Sequence, residues 1–326
     1  MTDQSPVLPN AMILGAPKSG TTWLYDNLRG HPQIATPREE IHYFNYHLDR
    51  GLDWYQQFFA EVYQGEPIIL DAGSSYLYIY DHLAAYFEYQ RDIPGMIKDV
   101  LGNPKMILIF RDPVDRLLSN YTNLMQGVVQ YGGVYRGDAR HYSVQEAKPW
   151  AFKFKATWIG DYEKQVLNFL VPDTLEKTLL THPALIERGF YDVHLRRYLD
   201  VFPPENFLYL EMQMLRQSPI DVMHRICEFL GIEHWYDEDL VHARSNTAET
   251  RALPRSWYWQ SWFAKQARKG RLPWLMRRLM TANERLGQKP QLSDDLANVL
   301  ARWYEPHNRE LAQITGLDLS HWRSPR

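Results

Sequence analysis

The sequence predicts an α/β fold, a central parallel β-sheet flanked by helices on both faces, and three observations carry that expectation. Short apolar runs alternate with longer segments of helical spacing, the pattern of strands joined by crossover helices. Each apolar run is bounded by Gly, Pro, Asn or charge. The first run, AMILGA, feeds straight into a glycine-bearing loop and then into the helical pattern TTWLYDNLRGH.

The elements follow in order. PIILDA (67–72) reads as the second strand, KMILIFR (105–111) as the third and NFLYLEM (206–212) as the fourth. PVDRLLSNYTNLMQ and FYDVHLRRYLDVF have apolar residues at helical intervals. LSDDLANVLARWYEPHNRELAQITG reads as one long helix ending at Gly316. In such a fold ligands sit at the C-terminal ends of the strands. Residues 132–185 are polar and irregular, and 257–278 mix Trp and Tyr with Lys and Arg.

The chain has 326 residues and a net charge of −3, so no global basic field points to nucleic acid. Cys227 is its single cysteine, which excludes a disulfide framework and a thiolate metal cluster. MTDQSPVLPN lacks the basic start and apolar run of a signal peptide. No apolar run reaches the roughly 18 residues that span a bilayer. The expectation is one domain over 1–326 in a reducing, cytoplasmic setting, with 1–10 as a flexible N-terminus. Segments 132–185 and 257–300 are expected to be acceptor-side or lid elements. The run 257–278 has three readings: a core-packing helix pair, a lid, or a helix lying on a membrane surface.

GAPKSGTT (15–22) carries the chemistry. The phosphate-cradling loop of nucleotide triphosphatases reads G-x-x-x-x-G-K-[ST]. Gly15, Gly20 and Thr22 fit that frame, but Thr21 stands where the lysine belongs and a lysine appears at Lys18. A strand–loop–helix unit of this kind aims backbone N–H groups and a helix dipole at an anion. A lysine on the loop's crest reaches a single terminal group rather than a long phosphate chain. A phosphosulfate has that shape, and its lower charge lessens the need for Mg²⁺.

A second stretch, KMILIFRDPVDRLLSNYTNL (105–124), runs from a strand into a helix. Arg111 lies at the strand's end and Ser119 eight residues on, so a forked guanidinium and a hydroxyl can meet one phosphate. The plainer alternative is a helix start with Asp112 as cap, Pro113 in the first turn, and Asp115 and Arg116 facing solvent.

Together these two stretches closely resemble the sulfotransferase family that uses 3′-phosphoadenylyl sulfate. REEIHYFNYHLDRGLDWYQQFF (38–59) is similar to the segment after the first helix in heparan-sulfate sulfotransferases, especially the N-deacetylase/N-sulfotransferase branch and its bacterial relatives. RGFYDVHLRRYLDVFPPENFLYLEMQML (188–215) and RWYEPHNRELAQITGLDLSHW (302–322) resemble the family's helix-then-strand segment and its closing helix and tail. The resemblance implies the family's fold, 3′-phosphoadenylyl sulfate as co-substrate and no metal. It implies that Lys18 contacts the bridging oxygen of the phosphosulfate. Ser19, Gly20, Thr21 and Thr22, with Trp23 beside them, would form the donor cradle. Arg111 and Ser119 match the pair that holds the 3′-phosphate, and Arg255 a basic loop that closes over the donor. Glu40 matches the general base. Two departures stand out: Ala72 occupies the place of a lysine common in the heparan branch, and the histidine of the small-molecule branch is missing from that region.

Sulfuryl transfer needs an in-line attack and a proton acceptor. If 39–42 is extended, Glu40 and His42 share one side and Glu39 takes the other. Glu40 is the expected base, with His42 in the acceptor pocket, as a structural residue, or as the base itself. Asp71, ending a strand, either orients Lys18 or an acceptor hydroxyl, or caps a turn. The acceptor class stays open among small-molecule, sugar, polyketide and lipid hydroxyls or an amine. The rival expectations are a kinase-like phosphotransferase, which would want lysine at position 21 and a Mg²⁺ carboxylate, and a non-catalytic nucleotide-binding protein on the same fold.

Overall fold

Five strands form one parallel sheet in the order β2-β3-β1-β4-β5 among the described residues of a computed structural model. They are β1 (Ala11–Gly15), β2 (Ile34–Ala35), β3 (Ile68–Ala72), β4 (Lys105–Phe110) and β5 (Phe207–Glu211). The structure describes residues 6–78, 92–130, 184–242 and 292–325, together with Leu175 and Leu179. Connections leave β1 toward β2 and β3 on one side, and β4 toward β5 on the other. The loop after β1 therefore opens at the point where the winding reverses, the usual place for a ligand.

The central strands are buried on both faces. Met12 and Leu14 of β1 join one core with Met106, Leu108 and Phe110 of β4, while Ala11 and Ile13 join the other with Ile107 and Ile109. That alternation explains why these strands read as unbroken apolar runs. Helices cover both faces, as expected. α1 (Thr21–Gly30) contributes Trp23, Leu24 and Leu28 to the second core. α2 (Leu52–Ala60) and α3 (Ile93–Leu101) pack Tyr55, Phe59, Ile93 and Ile97 into the first. Helix α4 (Pro113–Gln130) follows β4, and α5 (Tyr191–Leu199) returns to the first core through Tyr191, Leu195 and Tyr198. α6 (Pro219–Leu230) lays Val222, Met223, Ile226 and Leu230 against the second. The long terminal helix is α7 (Asp294–Thr315), and Gly316 closes it with φ 68°.

Contacts divide the chain into two units. The first comprises 1–116, 188–245 and 298–326 and holds the sheet; the second comprises 117–187 and 246–297. Arg255 and the aromatic-basic run 257–278 lie outside the described residues, as does most of 132–185.

Three expectations change. The two-residue β2 was not legible, because Ile34–Ala35 is too short to show periodicity. The stretch 39–42 is not extended: His42 has φ 55°, a left-handed turn, and a π-helical turn follows over Tyr43–His47. Arg116 does not face solvent. Its side chain is fully buried, hydrogen-bonded to Tyr304 of α7, because the first turn of α4 packs under the terminal helix. Asp112 does cap α4, accepting from the amides of Val114 and Asp115 at 2.9 and 3.0 Å.

Candidate active site

The loop after β1 is shaped by two glycines. At Gly15 the pairing of β1 with β4 slips, and a Cβ there would lie 2.8 Å from the carbonyl oxygen of Ser74. Its φ of 147° is one that other residues rarely adopt. Gly20, at φ 104°, starts α1, and a Cβ there would press on Leu215. Lys18 sits between them with φ 69°, a left-handed backbone that costs a non-glycine residue about 1–2 kcal/mol. Arg111, at the end of β4, donates from Nη1 to the Lys18 carbonyl at 3.0 Å. The Tyr191 phenol in turn donates to the Arg111 carbonyl at 3.0 Å.

α1 begins without a side-chain cap and has no acidic residue in its first turn. Its first amides therefore form the positive end of the helix dipole, with no capping carboxylate among the described residues. Thr21 is buried there and Thr22 exposed, while Ser19 is fully buried. Trp23 is buried as well, and its indole N–H donates to the Val241 carbonyl at 3.2 Å. Burial first, then the nearby Arg216, pull Arg111 below arginine's ordinary value, against the opposing pull of Asp115. Beside it opens a cleft of about 320 Å³ lined by Arg111, Arg216, Arg323, Asp112, Asp115 and Glu211, among others. Ser119 lies half-buried on α4, in the second unit.

The carboxylate side is built on the turn after β3. Glu40 Oε2 accepts the Ser74 amide at 3.3 Å and the Ser74 hydroxyl at 2.9 Å. His42 Nε2 stands 3.0 Å from the same oxygen. Among the described residues, no donor reaches Glu40 Oε1. Burial pushes the Glu40 carboxyl up, but the His42 and Ser74 interactions outweigh it, so it lies below the usual carboxylate value. His42 Nδ1 is 3.5 Å from the Ser75 hydroxyl, which accepts from Asn45 Nδ2 at 2.8 Å. An ionised carboxylate only accepts, so the contact at Glu40 Oε2 is made by a hydrogen on His42 Nε2.

Glu40 and His42 thus do meet, through the left-handed turn rather than through strand alternation, and Glu39 is exposed. His47 is buried against Trp54, with ring centroids 5.0 Å apart. Asp71 neither orients Lys18 nor caps a turn. Its Oδ2 accepts from the phenols of Tyr55 at 2.6 Å and Tyr76 at 3.0 Å. Ser74, Ser75 and Asn45 escaped the sequence reading. The signal that pointed to them was the GSS turn at the C-terminal end of β3, the end at which ligands gather.

Among the described residues, no group of three or more His, Cys, Asp or Glu side chains is arranged to hold a metal, and no helix is long and apolar enough to cross a membrane.

Comparison with known proteins places this geometry in context. A family model for the sulfotransferase domain matches residues 8–313. Human (Homo sapiens) heparan sulfate glucosamine 3-O-sulfotransferase 3A1 is 23% identical over 318 residues, covering 98% of this chain and 63% of that protein. Human bifunctional heparan sulfate N-deacetylase/N-sulfotransferase 3 is 28% identical over 328 residues, covering 97% of this chain and 31% of that protein. The chain thus spans less than two thirds of the length of these two relatives. The crystal structure of a sulfotransferase from Alicyclobacillus acidocaldarius superposes with a TM-score of 0.58 at 18% identity, covering 97% of this chain and 99% of that one. That likeness concerns the fold.

Proposed function

The chain belongs to the sulfotransferase domain family, and from that premise we propose that it transfers a sulfuryl group from 3′-phosphoadenylyl sulfate to a hydroxyl or amine. The observation that carries the reading is the meeting of two parts. The first is an uncapped helix start with Lys18 on its crest. The second is a charged Glu40 hung from Ser74, the residue whose carbonyl Gly15 packs against.

The roles follow from the chemistry. The loop amides and the Thr21 and Thr22 hydroxyls bind the 5′-phosphosulfate. Lys18 neutralises the bridging oxygen, which gains charge as its bond to sulfur breaks. Arg111 takes the 3′-phosphate, and the cleft beside it supplies room and two further guanidinium groups, Arg216 and Arg323. The acceptor's oxygen or nitrogen forms the new bond to sulfur, and the electron pair of the broken bond stays on the bridging oxygen of adenosine 3′,5′-bisphosphate. The acceptor's proton goes to Glu40 Oε1, which no donor among the described residues reaches. His42 holds the other oxygen and keeps the carboxylate ionised. No step calls for a metal.

The acceptor we propose is a carbohydrate. The two named human relatives carry heparan sulfate in their names, and the partners of Glu40, Ser74 and His42, are both polar. The test is incubation with ³⁵S-labelled 3′-phosphoadenylyl sulfate and a panel of desulfated heparin oligosaccharides, glucosamine, phenols and sterols, read by mass spectrometry. Label appearing in a sugar supports the assignment. Label confined to phenols or sterols overturns the acceptor class, and binding of adenosine 3′,5′-bisphosphate without any transfer or donor hydrolysis overturns the catalytic reading.

A further inference from the structure

Asp71 is buried in an aromatic box whose hydrogen bonds lead to the base. Its side chain faces the first core, where Tyr43 and Tyr55 stack at 4.3 Å and Phe44 meets the edges of Tyr55 and Tyr76. The residue is 1% exposed. The Tyr76 phenol does two things at once: it donates to Asp71 Oδ2 and accepts the backbone N–H of Tyr43 at 2.9 Å. Tyr43 directly follows His42, the residue in the left-handed turn. Tyr76 also belongs to the turn that carries Ser74 and Ser75, the partners of Glu40 and His42. One phenol therefore joins the two backbone segments that make up the catalytic pair.

We propose that Asp71 is a positioning residue: acting through the Tyr76 phenol, its carboxylate holds the Tyr43 amide and so fixes the turn that presents Glu40 and His42. The proposal rests on the reading of Glu40 as base. A charged acceptor orders the phenol more firmly than a neutral one, because a charge-assisted hydrogen bond is about twice as strong. A protonated Asp71 also brings an O–H that needs an acceptor, and Asp71 Oδ1 has no hydrogen-bond partner among the described residues.

The groups facing Asp71 set when that happens. Burial raises its carboxyl to about 6, with Tyr55 from α2, Tyr76 and His42 lowering it and Glu40 raising it. Tyr25 of α1 lies within its field as well. The clasp is thus intact above about pH 6 and loosens below it, whereas Glu40 is shifted the other way, below its ordinary value.

Amide hydrogen exchange at Tyr43 and donor hydrolysis with water as acceptor test this together. In the wild type, exchange at Tyr43, corrected for its intrinsic pH dependence, should rise as pH falls from 7 to 5. Tyr76→Phe should raise it at least tenfold at every pH and cut kcat for release of adenosine 3′,5′-bisphosphate about tenfold, with donor KM within twofold. Asp71→Asn should give a flat, intermediate exchange profile, with a melting temperature above pH 6 equal to or higher than wild type. A merely structural residue would lower it. Unchanged Tyr43 protection in Tyr76→Phe, or a flat wild-type profile, overturns the proposal even if Asp71→Asn fails to fold. Glu40→Gln separates the two readings: it should stop hydrolysis and leave Tyr43 exchange as in wild type. Retained hydrolysis in Glu40→Gln would sink the base assignment alone.

Discussion

Arg111 and Lys18, 93 residues apart in sequence, are joined by a hydrogen bond of 3.0 Å from the guanidinium to the lysine's backbone carbonyl. The residue assigned to the donor's 3′-phosphate therefore also holds the left-handed crest of the 5′-loop. On the proposed reading, binding at one end of the donor and catalysis at the other share a strut.

Lys18→Ala should lower kcat and kcat/KM together by about 10²–10³, the range for a fixed charge at a developing anion. Donor affinity should fall much less, because the loop amides remain. Single-turnover rates and titration with adenosine 3′,5′-bisphosphate measure the two effects. A variant keeping more than a tenth of wild-type kcat would remove Lys18 from the leaving-group role.

Arg111→Ala should weaken 3′-phosphoadenylyl sulfate by about ten- to a hundredfold, the worth of a hydrogen bond to a charged group. Adenylyl sulfate, which lacks the 3′-phosphate, should lose only a few-fold, through the slackened Lys18 crest. Calorimetric titration of both nucleotides reads the ratio. Equal loss for the two would assign Arg111 to the loop alone.

Gly15→Ala should destabilise the fold by about 1–3 kcal/mol, since its φ is unfavourable for alanine and the new Cβ meets a backbone carbonyl that cannot move aside cheaply. Urea unfolding measures this. A change below about half a kcal/mol would mean that the loop and the Ser74 turn adjust freely.

Glu40→Gln should drop kcat by about 10²–10⁴, the range for a positioned base. Its stability signature has a definite sign. Glu40 lies below its ordinary value in the folded chain, so its charge stabilises the fold above pH 4.5 and that contribution is lost as pH falls through the folded value. The melting-temperature gap between wild type and Glu40→Gln should be widest near neutrality and shrink below pH 4.5. A gap that instead closes near pH 6 would trace the effect to Asp71.

The strands were legible because β1, β3, β4 and β5 are buried on both faces and had to be written almost wholly in apolar residues. The loop was legible because glycine is the residue that its φ angles admit. What sequence could not convey was anything fixed by tertiary partners. Arg116 looks like a surface charge until Tyr304, far along the chain, covers it. Whether 39–42 is extended was left open by the sequence. His42 takes a left-handed φ, and the amide that follows it is held by the phenol of Tyr76, 33 residues on. Asp71 read either as an orienting group or as a turn cap, and its two phenols come from elements that periodicity cannot bring together.

The seat of Arg116 under α7 bears on how the chain matures. The same terminal region supplies the Arg323 amide to Asp112 at 2.6 Å and the Trp322 indole to Glu211 at 3.2 Å. All five strands have left the ribosome long before these residues do. A nascent chain that stops short of 300 would hold a complete sheet and a formed loop, yet the start of α4 would lack its roof and Asp112 its outer partner. The segment that braces Arg116, Asp112 and Glu211 thus follows the sheet it braces, the keystone of an arch already standing.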